Sequence, residues 1–430
     1  MVGVKSFYRV AVIGILLQGF VVAGTAQTTE VETRVSAELI SLARIWDQAP
    51  HNAFTDLIHW EGKFYCAFRE GKGHAGDLGK LRVLSSVDGK NWNSAGLIED
   101  AKFDLRDAAL TEMPDGRLMV LGGAQIPGKS TGTFVCFSED GVKFSDPEIV
   151  IEPGRWLWRT TRYGEDSFGV AYGAPDRANA SSLLKTRDGR TYETVVDDLL
   201  NDGEWPTEAR IRFDGEGTAY CLHRRDGKTK TTAMLGVAKP PYQEWQWQDL
   251  GQRLGGPNFI ATPNGQWLAV GRLYDAPVRT ELLHLDVEQG SMRSLLKLPS
   301  GGDTSYPGMV WHDGFLWISY YASHEGKTSI YLAKVKISEN APDKNLKKKL
   351  PVRIGTRREL FVDDYLIENK QDVRFELHHP QSTKSVLAFD RPWEGPFCGY
   401  VTVFKDDQKY SFTNMPAPNP LFADVISERP

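Results

Sequence analysis

The side chains in this sequence best suited to polar chemistry are a tyrosine, Tyr306, a glutamate, Glu208, and three arginines, Arg69, Arg224 and Arg272. An arginine presents a planar fork that grips a carboxylate through two parallel hydrogen bonds. A tyrosine phenol, with a pKa of about 10, is a poor nucleophile unless a neighbouring base takes its proton. Each residue also has a plain structural explanation. Tyr306 can simply begin a strand, Glu208 can pair with Arg210 or Arg224, and Arg69 can couple with Glu70 or Asp77, an exposed pair worth little. Spread over 237 positions, the five act together only if the fold carries them to one place.

The elements that would do so recur along the chain. One pattern, apolar strand, turn ending in glycine, apolar strand, appears at Leu57–Tyr65 and Met113–Met119, and around Gly215, Gly265 and Gly314, with a weaker copy at Tyr163-Gly164-Glu165. The turn glycines at 62, 116, 164, 215, 265 and 314 are 54, 48, 51, 50 and 49 residues apart. Asp-Gly and Asn-Gly between strands make hairpins because they tolerate positive φ. A hairpin every 50 or so residues is the signature of a propeller blade. The fold expected is therefore all-β, a six-bladed β-propeller over residues 36–338. The strand at Ala37–Leu42 has no hairpin of its own and is expected to close the ring by joining Ile330–Val335 in the last blade, so that no sheet edge is left bare. In this register Arg69 and Arg272 stand seven residues after a hairpin glycine and Arg224 nine after one; Tyr306 stands eight before and Glu208 seven before. The start of a blade's first strand and the end of its second lie on one face, so all five are expected on one rim, where ligands bind. Arg159 and Asp107 are rim candidates by the same register, and Trp156, Trp158 and Trp205 could offer a sugar platform or simply fill the core. The Arg253–Pro257 stretch, with its paired glycines, reads as a turn.

A second motif keeps the same period. Ser86–Trp92, Ser138–Phe144 and Thr186–Tyr192 each read Ser/Thr-x-Asp-Gly-x-x-aromatic, at steps of 52 and 48 residues. The aspartate can cap its own turn, the glycine relaxes the backbone, and the aromatic plugs back into the blade. These stretches resemble the Asp boxes of sialidases. The resemblance extends to the rim. Ser305–Val310 followed by Ile318–Tyr321 resembles the nucleophile segment of that family, which would make Tyr306 the nucleophile. Glu208, followed sixteen residues later by Arg224, resembles the family's glutamate and second arginine, and Gly271–Tyr274 the segment of its third arginine, Arg272. The resemblance implies a glutamate that accepts the phenol's proton, and arginines that hold an acidic sugar. It also implies an acid/base aspartate before the first box, for which Asp77 is the nearest match, with His74 in the same loop as a competing acid/base or substrate-binding group. One family element is absent. Where the first arginine is expected the chain reads His51–Leu57, without an arginine, and Arg69 lies one strand later. The function implied is a retaining glycoside hydrolase of sialidase type acting on an acidic or otherwise substituted sugar; the alternative is a glycan-binding propeller without turnover.

The remaining features bound this reading. Lys5 and Arg9 precede an apolar run from Val10 to about Ala23 and small residues ending at Ala26, the form of a signal peptide over 1–26, so a secreted or periplasmic protein is expected, with no stable membrane insertion after cleavage. A net charge of -5 favours neither nucleic acid nor an anionic membrane. Cys66, Cys136, Cys221 and Cys398 are widely separated; three sit in apolar strand-like contexts and read as buried thiols. No spacing suggests a metal, and no cofactor is expected. Residues 339–352 are polar and lysine-rich, a linker by composition. Residues 353–430 resemble the opening of a five-bladed glycoside hydrolase 32/43-type propeller and, at roughly 75 residues, read as a truncated start of that domain.

Overall fold

The computed structural model describes residues 34–125, 130–173 and 180–340, together with the backbone of the strands Cys398–Asp406, Lys409–Pro416 and Val425–Ile426. The expected signal peptide and nearly all of the expected linker lie outside the described residues. The chain divides into two units, Met1–Leu346 and Lys347–Pro430. In the second, the three described strands form one antiparallel sheet.

The first unit is a six-bladed β-propeller. Each blade is a four-stranded antiparallel sheet. The first strands, innermost in the ring, are His51–Trp60, Asp104–Glu112, Trp156–Tyr163, Pro206–Phe213, Gly255–Ala261 and Thr304–His312. Arg34–Trp46 supplies the outermost strand of the sixth blade, pairing antiparallel with Ser329–Asn340. Leu39 faces Val335 and Leu42 faces Ala333, so the expected clasp forms.

Strand alternation builds the core. Successive side chains point to opposite faces of a sheet, and here each face meets a neighbouring blade. In the second strand of blade one, Phe64, Cys66 and Phe68 pack with Trp317, Tyr321 and Leu332 of blade six, while Tyr65 and Ala67 pack with Leu105, Leu118 and Phe134 of blade two. Six apolar clusters result, one at each seam. Burying a side chain of this size contributes about 1.5–3 kcal/mol, so the seams hold the ring closed. Cys66, Cys136 and Cys221 lie inside them as buried free thiols.

The hairpins follow the expected glycines at five blades, with Gly62, Gly116, Gly164, Gly265 and Gly314 at φ between 61° and 87°. The fourth differs. Asp214 Oδ1 accepts hydrogen bonds from the backbone N–H of Glu216 and Thr218, lengthening the turn, and the left-handed residue is Gly217 (φ 84°) rather than Gly215.

The Ser/Thr-x-Asp-Gly turns join the third and fourth strands. In the first, the Gly89 N–H donates to Ser86 Oγ (2.9 Å) and the N–H groups of Lys90 and Asn91 donate to Asp88 Oδ1 (both 2.8 Å). Each turn glycine also abuts the preceding blade. A Cβ at Gly89 would lie 2.5 Å from Trp317, at Gly141 2.2 Å from Tyr65 and at Gly189 2.6 Å from Met119.

Candidate active site

All six first strands break their register at the same level, between Ala53 and Asp56, Arg106 and Ala109, Leu157 and Thr160, Pro206 and Ala209, Gly255 and Asn258, and Ser305 and Gly308. A bulge re-aims the side chain it carries. Phe54 (φ 61°), Asp107 (φ 48°), Gly256 (φ 54°) and Tyr306 (φ 51°) occupy the left-handed region within these bulges. For residues other than glycine this costs about 1–2 kcal/mol each, a strain characteristic of functional sites. The Arg253–Pro257 stretch is thus not a free turn: Gly255 opens the fifth blade's first strand and Gly256 is its bulge.

The bulges bring Tyr306 and Glu208 together. The Tyr306 hydroxyl donates to Glu208 Oε1. Arg224 Nη1 donates to Glu208 Oε2 (2.7 Å) and to the Tyr306 oxygen (3.2 Å), and the Gly256 N–H donates to Glu208 Oε2 (3.1 Å). A Cβ on Gly256 would sit 2.6 Å from the Tyr306 ring, so glycine is required there by packing as well as by φ. Phe54 meets the ring edge-on at 5.1 Å and the fully buried Trp158 does so at 6.0 Å. Burial, and then the Glu208 carboxylate, push the Tyr306 phenol well above its ordinary range. The resting state is therefore a neutral phenol with a base already on its proton, and Arg224 is placed to stabilise the oxygen as that proton leaves.

Arg272 lies on the same side of the ring. Its Nε donates to Thr304 O (2.7 Å), and its Nη2 to Asp303 Oδ1 (3.1 Å) and the Tyr321 hydroxyl (2.9 Å). Its guanidinium carbon stands 5.7 Å from the Tyr306 ring centre. Asp303 is the hub of this corner: Tyr321 also donates to Oδ1 (2.8 Å), and Oδ2 meets His51 Nε2 (3.0 Å) and His74 Nδ1 (2.7 Å). Burial would raise the Asp303 carboxyl, but the two histidines and Tyr321 hold it well below the usual carboxylate range. Among the described residues His51, His74 and Asp303 form the group of three that could ligate a metal. Arg272, a fixed positive charge on the same carboxylate, disfavours a cation there, and both imidazoles suit a hydrogen-bonded role.

Of the remaining candidates, His74 joins this cluster through Asp303, whereas Arg69 and Asp77 are bound to each other. Arg69 is fully buried, and all three of its nitrogens are taken, by Asp104 (2.7 Å), Gly73 O (2.8 Å) and Asp77 (2.9 Å). Asp77 in turn accepts from the Lys72 N–H (2.7 Å). Burial opposes its ionisation, but the Lys72 and Arg69 hydrogen bonds keep it below the ordinary aspartate range. The pair ties down the 72–79 loop: Arg69 is buried with each of its three nitrogens engaged, and Asp77 is a settled carboxylate. His74, half-exposed in that loop, does reach the site, edge-on to Phe54 at 4.9 Å. Phe54 belongs to the His51–Leu57 stretch, which lacks the first arginine that the resemblance calls for. Trp156 is half-buried and stacked on Tyr172, and Trp205 is exposed.

The structure adds a carboxylate with the properties of an acid/base. Asp107 is buried in the second blade's bulge, with Oδ1 lacking any hydrogen-bond partner among the described residues. Burial raises its carboxyl to about 6, with Arg106 opposing and Glu208 adding to the shift. The hairpin register pointed to its face, but only the bulge aims it at the site.

No protein-family model and no curated relative matches this chain. Solved structures do. A protein of unknown function from Dyadobacter fermentans superposes with a TM-score of 0.61 at 17% identity, over 70% of this chain and all of that one. The α-L-arabinofuranosidase of Fusarium graminearum gives 0.55 at 14% identity, over 71% and 98% of the two chains. Trypanosoma rangeli sialidase gives 0.52 at 12% identity; there this chain covers only 55% of the sialidase's length. At these identities the likeness establishes the fold alone, a six-bladed β-propeller.

Proposed function

We propose that this chain is an exported glycoside hydrolase acting on an acidic or otherwise substituted sugar by a retaining, two-step displacement. The observation that carries the reading is the Tyr306–Glu208 hydrogen bond bridged by Arg224 at a strained bulge. The phenol oxygen attacks the anomeric carbon as its proton passes to Glu208, and the bond to the departing oxygen breaks as Asp107 protonates it. Water then cleaves the glycosyl–tyrosine bond, with Asp107 taking a proton from the water and Glu208 returning one to the phenolate. Asp107, neutral below about pH 6 and buried, suits the acid/base role better than Asp77, which the Lys72 N–H and Arg69 keep ionised. Arg224 and Arg272 each keep one terminal nitrogen without a protein partner among the described residues, available to a substrate carboxylate or hydroxyl. Export rests on the charged start and apolar run of residues 1–26, and mass spectrometry of the secreted product should find cleavage after Ala26.

A second reading, a glycan-binding propeller without turnover, is favoured by the lack of an arginine in His51–Leu57, where the resemblance calls for the first one. One experiment separates the two. A panel of aryl glycosides including a sialoside and an arabinofuranoside should contain a substrate, and Tyr306→Phe should lower its turnover by several orders of magnitude, with binding largely kept. No hydrolysis of any member by the wild type, with the sugar still bound, would favour the lectin reading.

A further inference from the structure

Arg106 opens the bulge of the second blade, one residue before Asp107, and its guanidinium is fixed by groups other than that aspartate. Nη2 donates to His74 O in the 72–79 loop (3.2 Å) and Nη1 to Gln125 Oε1 (3.4 Å), while the guanidinium carbon stands 5.2 Å from the centre of the Phe54 ring. Held in this way, Nε lies 3.9 Å from Asp107 Oδ2 and has no hydrogen-bond partner among the described residues. The contrast with the first blade is direct. Asp77 accepts hydrogen bonds from the Lys72 N–H (2.7 Å) and from Arg69 (2.9 Å) and stays ionised. Arg106 brings its charge close to Asp107 but gives it no hydrogen bond.

That difference matters to a group that must both hold and release a proton. A buried carboxyl with no cation near it keeps its proton too firmly, and one bonded directly to an arginine does not carry a proton at all near neutral pH. A fixed positive charge close by, without a hydrogen bond, favours the carboxylate and leaves its oxygens free for the proton. We propose that Arg106 is the positioning residue of Asp107, its charge held beside the carboxyl at a distance set by His74, Gln125 and Phe54. The inference rests on the reading of Asp107 as the acid/base. Burial is the largest influence on the Asp107 carboxyl and raises it; Arg106 comes next and opposes it. The other groups that face Asp107 are Glu208, which adds to the effect of burial, His74 and Arg159, which oppose it, and the phenols of Tyr172 and Tyr306.

The test reads the pH profile and the carboxyl itself. In Arg106→Met the alkaline limb of kcat/KM, measured on the best aryl glycoside of the panel, should move up by about one pH unit. Arg106→Lys, which restores the charge without the planar fork, should bring the limb back toward its wild-type position even where turnover is lower. The same upward move in Arg106→Met should appear by NMR in protein carrying 13C in its aspartate carboxyls, with Asp107→Asn identifying the Asp107 signal; that titration needs no substrate. A limb and a carboxyl titration that both stay in place in Arg106→Met overturn the proposal, and lower turnover at every pH would then make Arg106 a purely structural residue. A carboxyl titration that moves in a protein without hydrolase activity would uphold the hold of Arg106 on Asp107 and sink the catalytic reading instead. Should Arg106→Met not fold, Arg106→Gln, which keeps a hydrogen-bonding end for His74 O and Gln125, answers the same question through the same two readings.

Discussion

Asp107 and Asp303 show how far apart two carboxylates can be driven by their surroundings. Asp107 is buried with Oδ1 unpartnered among the described residues and is raised to about 6; Asp303 collects donors and is held down. If Asp107 delivers the proton, kcat/KM should fall above about pH 6, where the acid form is lost. Asp107→Asn should abolish that limb and lower kcat/KM about 10²–10⁴-fold. Asp77→Asn should leave the limb in place. A limb that disappears in the Asp77 variant and survives in the Asp107 variant would return the role to Asp77. For Asp303 the sign is the opposite one. A folded pKa below the unfolded value contributes stability that is complete above about pH 4 and fades as the pH falls. Asp303→Asn should therefore cost about 1.5–3 kcal/mol at pH 6, with the gap to wild type narrowing below pH 4 in denaturant titrations. A gap that is constant with pH would show that charge is not what Asp303 contributes. The sequence made Tyr306, Glu208, Arg224 and Arg272 legible because each sits at a strand end seven to nine residues from an expected hairpin glycine. Asp303 and His51 were not legible as partners, since nothing in local spacing shows that residues 252 positions apart are hydrogen-bonded.

At the scale of elements, period was readable and bulges were not. The hairpin glycines and the Asp-Gly turns announce themselves through residues that tolerate positive φ. A bulge whose left-handed residue is Phe54, Asp107 or Tyr306 carries no such mark, because those residues adopt the conformation only under the constraint of the ring. The turn glycines carry a second duty that the motif alone hides, since each leaves room for a side chain of the preceding blade. Gly141→Ala should be worse than loss of glycine freedom alone. It strains φ at 70° and places a Cβ 2.2 Å from the Tyr65 hydroxyl. A loss of about 1–3 kcal/mol is expected, with kinetic constants at the site unchanged, because these turns and the strand ends that form the site lie on opposite faces. Stability within about 0.5 kcal/mol of wild type would show that the blades are not locked through this contact.

The whole molecule depends on one pairing between segments some 300 residues apart. The strand Arg34–Trp46 meets Ser329–Asn340 over its full length, from Arg34 opposite Asn340 to Trp46 opposite Ile330. It covers an edge that would otherwise present unpaired N–H and C=O groups beside the buried side chains of Tyr331, Ala333 and Val335. Blade six in turn forms the seams with blades five and one, so an open edge weakens two of the six apolar clusters at once. Because the closing contact is so remote in sequence, it forms only after the loop-closure entropy of the whole ring has been met. Removing residues 34–46 should therefore do more than fray one strand. The shortened protein should melt at least about 10 °C lower or self-associate through the bare edge, as read by calorimetry and size-exclusion chromatography. A synthetic peptide of residues 34–46 should bind the shortened protein by adding back the missing strand and recover part of the loss. A monomeric shortened protein that melts within two or three degrees of the full chain, and ignores the peptide, would mean that the six seams alone suffice to close the ring.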